Sequence, residues 1–198
     1  MITLLRPLTF AAALLLAGCS LQSAAPEKTI YQFGAERPSS ATATSPRFGS
    51  VRVADFRVTQ ANRSSSLLYR ETDQRFVADP YRQFIAPPAI LLTERCRAWL
   101  ASSGLFRNVL PSGALLATDA TLETELVELY TDVRDPKHPA AVLSLRAWLV
   151  DAKGGAAMPE WRFSQRVPLT NADAGSVVAG LDQALSAALA DLEKALSR

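Results

Sequence analysis

Cysteine and histidine are nearly missing from this sequence. Among 198 residues there are two cysteines, Cys19 and Cys96, and one histidine, His138. Cys19 falls in an N-terminal leader, which leaves Cys96 without an intramolecular partner, so the fold must be stable without a disulfide. No cysteine and histidine cluster could hold zinc. His138 is wedged between Lys137 and Pro139 in a turn, and no Gly-x-Ser-x-Gly elbow exists for it to serve. A phosphate-binding loop is also missing, because Gly154-Gly155 leads into Ala156-Ala157 where such a loop needs Lys followed by Ser or Thr. Lys and Arg number 21 against 19 Asp and Glu, a formal net charge of +2 with no basic run, which argues against nucleic acid as a partner. Glu123 and Glu125 have no histidine beside them and read as the solvated face of a strand. These absences remove the usual catalytic sets, and no metal site and no enzymatic activity are expected.

What is present begins with Leu16-Ala17-Gly18-Cys19. Arg6 stands before a short apolar run from Leu8 to Ala17, the layout of a secretory signal peptide. The run falls well short of the roughly 20 apolar residues that span a bilayer. A cysteine directly after Ala17-Gly18 resembles the bacterial lipobox, in which the thiol accepts a diacylglycerol, the peptide is cut before it, and the new amino group is acylated. Residues 1–18 are therefore expected to be a signal peptide. Cys19 is expected to carry diacylglycerol and an N-acyl chain such as palmitate, and no other cofactor is expected. A buried methylene is worth about 0.8 kcal/mol and one chain anchors only marginally, so two or three chains make attachment long-lived. Ser20, and not Asp, follows the cysteine, which by the sorting pattern of such lipoproteins implies the outer membrane, with the body in the periplasm. Residues 19–28 form a tether covering on the order of 15 to 20 Å. Residues 29–198 have the length of one domain.

Along that domain, Thr29 to Phe33 reads as a first strand, and Gly34 to Pro46, rich in Ser, Thr, Ala and Pro, as a loop. Val51, Val53, Phe56 and Val58 mark a second strand with an irregularity near Ala54. Leu67 to Arg70 and Arg75 to Val77 bracket a hairpin turn. Asp79 to Phe84 is extended or turning, since the residue before Pro80 is pushed out of the helical region. Pro87-Pro88 opens a helix whose buried stripe is Leu92, Cys96, Trp99 and Ser103, stopped by Gly104. Leu105 to Leu110 is an edge-like strand closed by Pro111. From Thr121 to Val133 alternation puts Leu122, Leu126 and Tyr130 on one face, although Val127 and Leu129 blur it. Val142 to Val150 and Trp161 to Val167 alternate more cleanly, and with a turn at Lys153-Gly154-Gly155 the three make an antiparallel meander. Val178, Leu181, Leu185, Ala188, Leu192 and Leu196 trace the core stripe of a closing helix that starts near Asp173. The fold class is α+β: a single domain with a mostly antiparallel or mixed sheet packed against two amphipathic helices.

The order of Tyr31-Gln32-Phe33, the strand Val51 to Val58, Leu68-Tyr69-Arg70, Tyr81-Arg82-Gln83-Phe84 before Pro87-Pro88, and Leu91-Leu92 through Ser103-Gly104-Leu105-Phe106 resembles the ABC-type transport auxiliary lipoprotein family, of the paraquat-inducible type. Leu122-Glu123-Thr124-Glu125-Leu126 and the alanine- and leucine-rich last helix fit as well. Where the family usually has Trp after Tyr-Arg, this chain has Gln83-Phe84. The resemblance implies an accessory subunit of a transporter that moves phospholipid or other hydrophobic molecules between two membranes. The implied partners are a mammalian-cell-entry-domain protein and an inner-membrane ABC permease and ATPase, with the lipoprotein as docking subunit. A partner presenting a tube end would be matched best by a homo-oligomeric ring. Tyr81, Arg82 and Phe84 combine aromatic and guanidinium groups of the kind enriched at interface hot spots. They are the candidate partner-binding residues, the alternative being that the two aromatics pack under the following helix. Two other functions stay open: an assembly lipoprotein of another envelope machine, and a lipid-active hydrolase using His138.

Overall fold

A computed structural model describes residues 26–38, 45–152 and 160–198. The expected signal peptide, Cys19, most of the expected tether and the expected turn at Lys153-Gly154-Gly155 lie outside the described residues. In chain order the elements are β1 (Thr29–Tyr31), β2 (Phe48–Val53), β3 (Arg57–Val58), β4 (Ser66–Arg70), β5 (Phe76–Phe84), α1 (Pro88–Ser103), β6 (Phe106–Pro111), β7 (Ala120–Asp132), β8 (Ala140–Asp151), β9 (Trp161–Pro168) and α2 (Ala174–Leu196).

β7 is the spine of a nine-stranded mixed sheet. One of its edges is antiparallel to β8 along its length, and β8 is antiparallel to β9, so the expected meander is present. The other edge pairs in parallel with three short strands in succession. β2 lies beside Ala120 to Leu122, β3 beside Glu125 and Leu126, and β4 beside Thr131 and Asp132. The β-rich run of the second strand is thus two strands, broken at Ala54 to Phe56, where the Phe56 N–H donates to the Thr93 hydroxyl at 2.9 Å. β6 extends the sheet beyond β2, β5 beyond β4, and β1 beyond β5.

Two irregularities change which side chains face inward. Pairing with β8 shifts between Leu126 and Glu128, a bulge at Val127 that reverses the alternation. Leu122 and Leu126 before it and Leu129 after it therefore all join the core. Tyr130, expected beside Leu122 and Leu126, lies on the opposite face, edge-on to Phe76 with ring centres 5.4 Å apart. In β5 the partners jump from Leu68↔Ala78 to Ser66↔Gln83, so the strand bows away from β4 between them. Pro80 sits in that bow, where its missing N–H breaks no ladder bond. The stretch read as extended or turning is the second half of a nine-residue strand.

Both helices cover one face of the sheet. Pro88 occupies the first turn of α1, and Gly104 ends it at φ 73°, a left-handed conformation that costs glycine little. Asp173 caps α2, its carboxylate accepting the Ser176 N–H at 3.0 Å and the Ser176 hydroxyl at 2.8 Å. Leu181, Leu185, Ala188, Leu192 and Leu196 are buried as expected, whereas at the first turn Val177 faces inward and Val178 is half-buried. A single apolar cluster joins the two helices to the sheet, and its buried members run from Phe33 to Leu196. The chain from Ser20 onward carries all of them and so folds as a unit. Among the described residues no helix is long and apolar enough to cross a membrane.

Candidate functional site

The bow in β5 is shaped by Asp79. Its carboxylate accepts the N–H groups of Tyr81 (2.9 Å) and Arg82 (3.0 Å) and pairs with the Arg82 guanidinium at 3.3 Å. This Asx turn leaves Tyr81 40% exposed and the Arg82 side chain 52% exposed. Phe84 is different: it is 2% exposed and stacks on Phe33 with ring centres 4.6 Å apart. Phe84 is therefore a core residue and not a surface for a partner. It occupies the last inward position of β5 before the chain turns into α1. Of the three sequence-predicted contact residues, the structure leaves Tyr81 and Arg82 accessible, on the strand beside β1.

A second surface feature was not anticipated. Between β6 and β7, the Arg52 guanidinium donates to the backbone carbonyls of Ser112 (3.2 Å), Ala114 and Leu116 (2.8 Å). The Ser112 hydroxyl donates to Asp55 at 2.8 Å. At the far end of the loop, Asp119 accepts the Ser50 N–H at 2.6 Å while its own N–H donates to the Ser50 carbonyl at 2.9 Å. Gly49 permits that approach, since a Cβ there would lie 2.9 Å from the Asp119 Cγ. Held at both ends, the loop presents Leu115 and Leu116, 102% and 67% exposed, the highest values for large apolar side chains among the described residues. The sequence signal was the adjacent Leu-Leu inside a Gly- and Ala-rich turn, but only the structure shows both side chains standing in solvent.

The sheet face opposite the helices carries shallow depressions on both sides of the Val127 bulge. One, of about 440 Å³, is lined by Glu128, Ser144, Arg146, Arg162, Phe163 and Ser164. Most of its polar groups pair with one another, although the buried Arg146 Nε has no hydrogen-bond partner. Ser144 donates to Glu128 at 2.7 Å and lies 3.0 Å from the Ser164 hydroxyl. Arg146 pairs with Glu125 at 2.8 Å and Arg162 with Glu160 at 2.7 Å. Glu125 is thus an ion-pair partner on the outer face, and Glu123 pairs with Arg57 at 3.1 Å.

At the end of β7, Asp132 is 4% exposed in its side chain and accepts from Arg134 at 3.0 and 2.8 Å and from Arg166 at 2.8 Å. The Arg134 hydrogen bonds hold its carboxyl far below the usual carboxylate range, with Arg166 and the Arg134 backbone N–H adding to the effect. His138 stands in the open turn beyond, 81% exposed, its Nδ1 2.8 Å from Asp135. That bond lowers the Asp135 pKa. Among the described residues no group of three His, Cys, Asp or Glu side chains is placed to hold a metal ion. The arrangement offers exposed surfaces and paired charges.

The chain is similar in fold to the crystal structure of a protein from Xanthomonas campestris, with a TM-score of 0.74 and 19% identity over 83% of this chain and 92% of that one. It is also similar to the crystal structure of an uncharacterized protein, with a TM-score of 0.67 and 17% identity over 86% and 99% of the two chains. No curated protein matches it in sequence. The family model for the ABC-type transport auxiliary lipoprotein component matches residues 31–193, from the end of β1 to the last turn of α2. That span contains the β7 spine, all of α1, α2 up to its last turn and both exposed loops, and the chain belongs to the ABC-type transport auxiliary lipoprotein family.

Proposed function

We propose that this protein is an outer-membrane-anchored docking subunit of an intermembrane lipid transport system, held by acyl chains on Cys19 and engaging a mammalian-cell-entry-domain protein that works with an ABC permease and ATPase. It performs no chemistry; it holds a partner in place. The observation that carries this reading is the Arg52-braced loop with Leu115 and Leu116. β1 runs antiparallel to β7, through its parallel pairing with β5 and the antiparallel β5–β4 and parallel β4–β7 pairings. The tether therefore leaves the sheet toward the Asp132 end of β7, whereas the leucine loop lies at the Ala120 end. Thr29 lies level with the Asp132 half of β7 and the leucine loop level with its Ala120 end, so the leucines sit away from the point where the tether enters the sheet.

Two leucines held in solvent form an exposed apolar patch of the kind that marks an interaction site, suited to a partner arriving from the periplasm. Tyr81 and Arg82, at the root of the tether, are less well placed for such a partner, so the docking role moves to Leu115 and Leu116. Several copies in a ring would present several such loops to a tube end. The test is capture of the purified mammalian-cell-entry-domain protein by the full-length lipoprotein. Leu115→Ser with Leu116→Ser should lower capture at least tenfold with an unchanged melting temperature, a loss of about 1.4 kcal/mol or more. Undiminished capture would refute this docking surface, and no capture by the unaltered protein would refute the function.

A further inference from the structure

We propose that the outer face of the β1–β5 edge is a second membrane contact, a small interfacial surface that lies on the lipid headgroups beside the acyl anchor. The inference rests on the reading that Cys19 holds the chain at a bilayer. Register and alternation assemble the surface. Ile30 pairs with Gln83, and Tyr31 with Phe84. Tyr31 and Phe84 turn toward the core, so Ile30 and Gln83 face outward. The Ile85 N–H donates to the Tyr31 carbonyl at 2.8 Å, which keeps Ile85 on the β1 ladder and, two residues after Gln83, on the same outer face. Tyr81 is exposed immediately before Arg82, the partner of Thr29.

Ile30 is 57%, Ile85 61% and Tyr81 40% exposed. Lys28 is also exposed, two residues before Ile30 on the chain leading into β1. Apolar side chains with a tyrosine and a lysine at the rim are the composition of an interfacial membrane contact.

The occupant is fixed by the chain itself. Nine residues, Ser20 to Lys28, separate Cys19 from β1. Even fully extended they reach only about 30 Å, and as flexible chain they cover on the order of 15 to 20 Å. Once Cys19 is acylated, Ile30 can never be far from the headgroups. The surface has an affinity for headgroups of its own, measurable without the anchor, and the tether raises its effective concentration further. Its contribution is orientation: acyl chains alone fix the distance to the membrane, while two contacts fix which way the Ala120 end of β7 points.

The test uses the acyl-free chain Ser20 to Arg198 and co-sedimentation with vesicles of phosphatidylethanolamine and phosphatidylglycerol, three to one. The unaltered chain should sediment with the vesicles, and Ile30→Ser with Ile85→Ser should lower binding about tenfold. Lys28→Glu should weaken it further at low salt, while Leu115→Ser with Leu116→Ser should leave it unchanged. Melting temperatures of all variants should match that of the unaltered chain. Absence of vesicle binding by the unaltered chain, or equal binding by the isoleucine variant, would overturn the proposal. So would loss of capture of the mammalian-cell-entry-domain protein by the isoleucine variant without vesicle binding, which would make the patch a protein interface. Palmitate labelling of Cys19 in cells is a separate readout. Vesicle binding that depends on Ile30 and Ile85 without such labelling would support the surface and remove the anchor.

Discussion

Trp99 and Cys96 show how much a single helical stripe determines. Both are buried, at 3% and 0% exposure, and burial pushes the Cys96 thiol up to about 12. A thiol so protonated and enclosed is a poor nucleophile, so Cys96 should resist thiol reagents in the folded protein and react only on unfolding. Trp99 does more than fill space. Its Nε1 donates to Glu193 at 2.8 Å, and the same carboxylate takes two hydrogen bonds from Arg37 at 2.9 Å each. The Arg37 bonds are the main cause of a lowered Glu193 pKa, with Trp99 a smaller one. Trp99→Ala should cost about 3 to 5 kcal/mol in urea unfolding; a loss below 1 kcal/mol would place the ring outside the core. The stripe was legible from three- and four-residue spacing. The Arg37–Glu193–Trp99 link was not, because its partners lie up to 156 residues apart and polar pairs leave no periodic trace. Phe84 was ambiguous for a related reason: an aromatic at a strand end fits either face until its partner strand is known.

At the scale of elements, β7 ends in the ion-pair cluster that fastens the meander. Because the folded pKa of Asp132 lies below its ordinary value of 3.8, the stability it contributes is complete above about pH 5 and is lost as pH falls through 4 toward the depressed native value. Asp132→Asn should cost about 1.5 to 3 kcal/mol at pH 7, the range for hydrogen bonds to a charged group. The gap between the variant and the unaltered protein should close as the pH is lowered toward 2. Denaturation curves at several pH values check this, and a gap independent of pH would assign the stability to another group. The β7–β8–β9 meander and both helices were readable because each is one long amphipathic period. The Val127 bulge was present in the sequence only as a blur in the alternation. Its sense, which sends Leu129 inward and Tyr130 outward, depends on the β8 partner. The parallel placement of β2, β3 and β4 along β7 was not readable, since strands of two to six residues carry too little pattern to name their neighbours.

At the scale of the whole molecule, the proposed membrane and docking roles fall on two different ends of the fold. The tether and the Ile30–Ile85 face lie toward one side, and the Arg52-braced leucine loop closes the other. The α+β class and the family were legible in the order of short motifs, but this polarity was not, because it depends on the direction of β1 relative to β7. The most direct measurement of the polarity is site-specific photo-crosslinking of the full-length, anchored protein in cells, with the reactive side chain placed at Leu115 in one variant and at Ile85 in another. Position 115 should yield a protein adduct identified as the mammalian-cell-entry-domain partner, and position 85 should yield lipid adducts. Protein adducts at position 85 together with lipid adducts at position 115 would contradict this polarity.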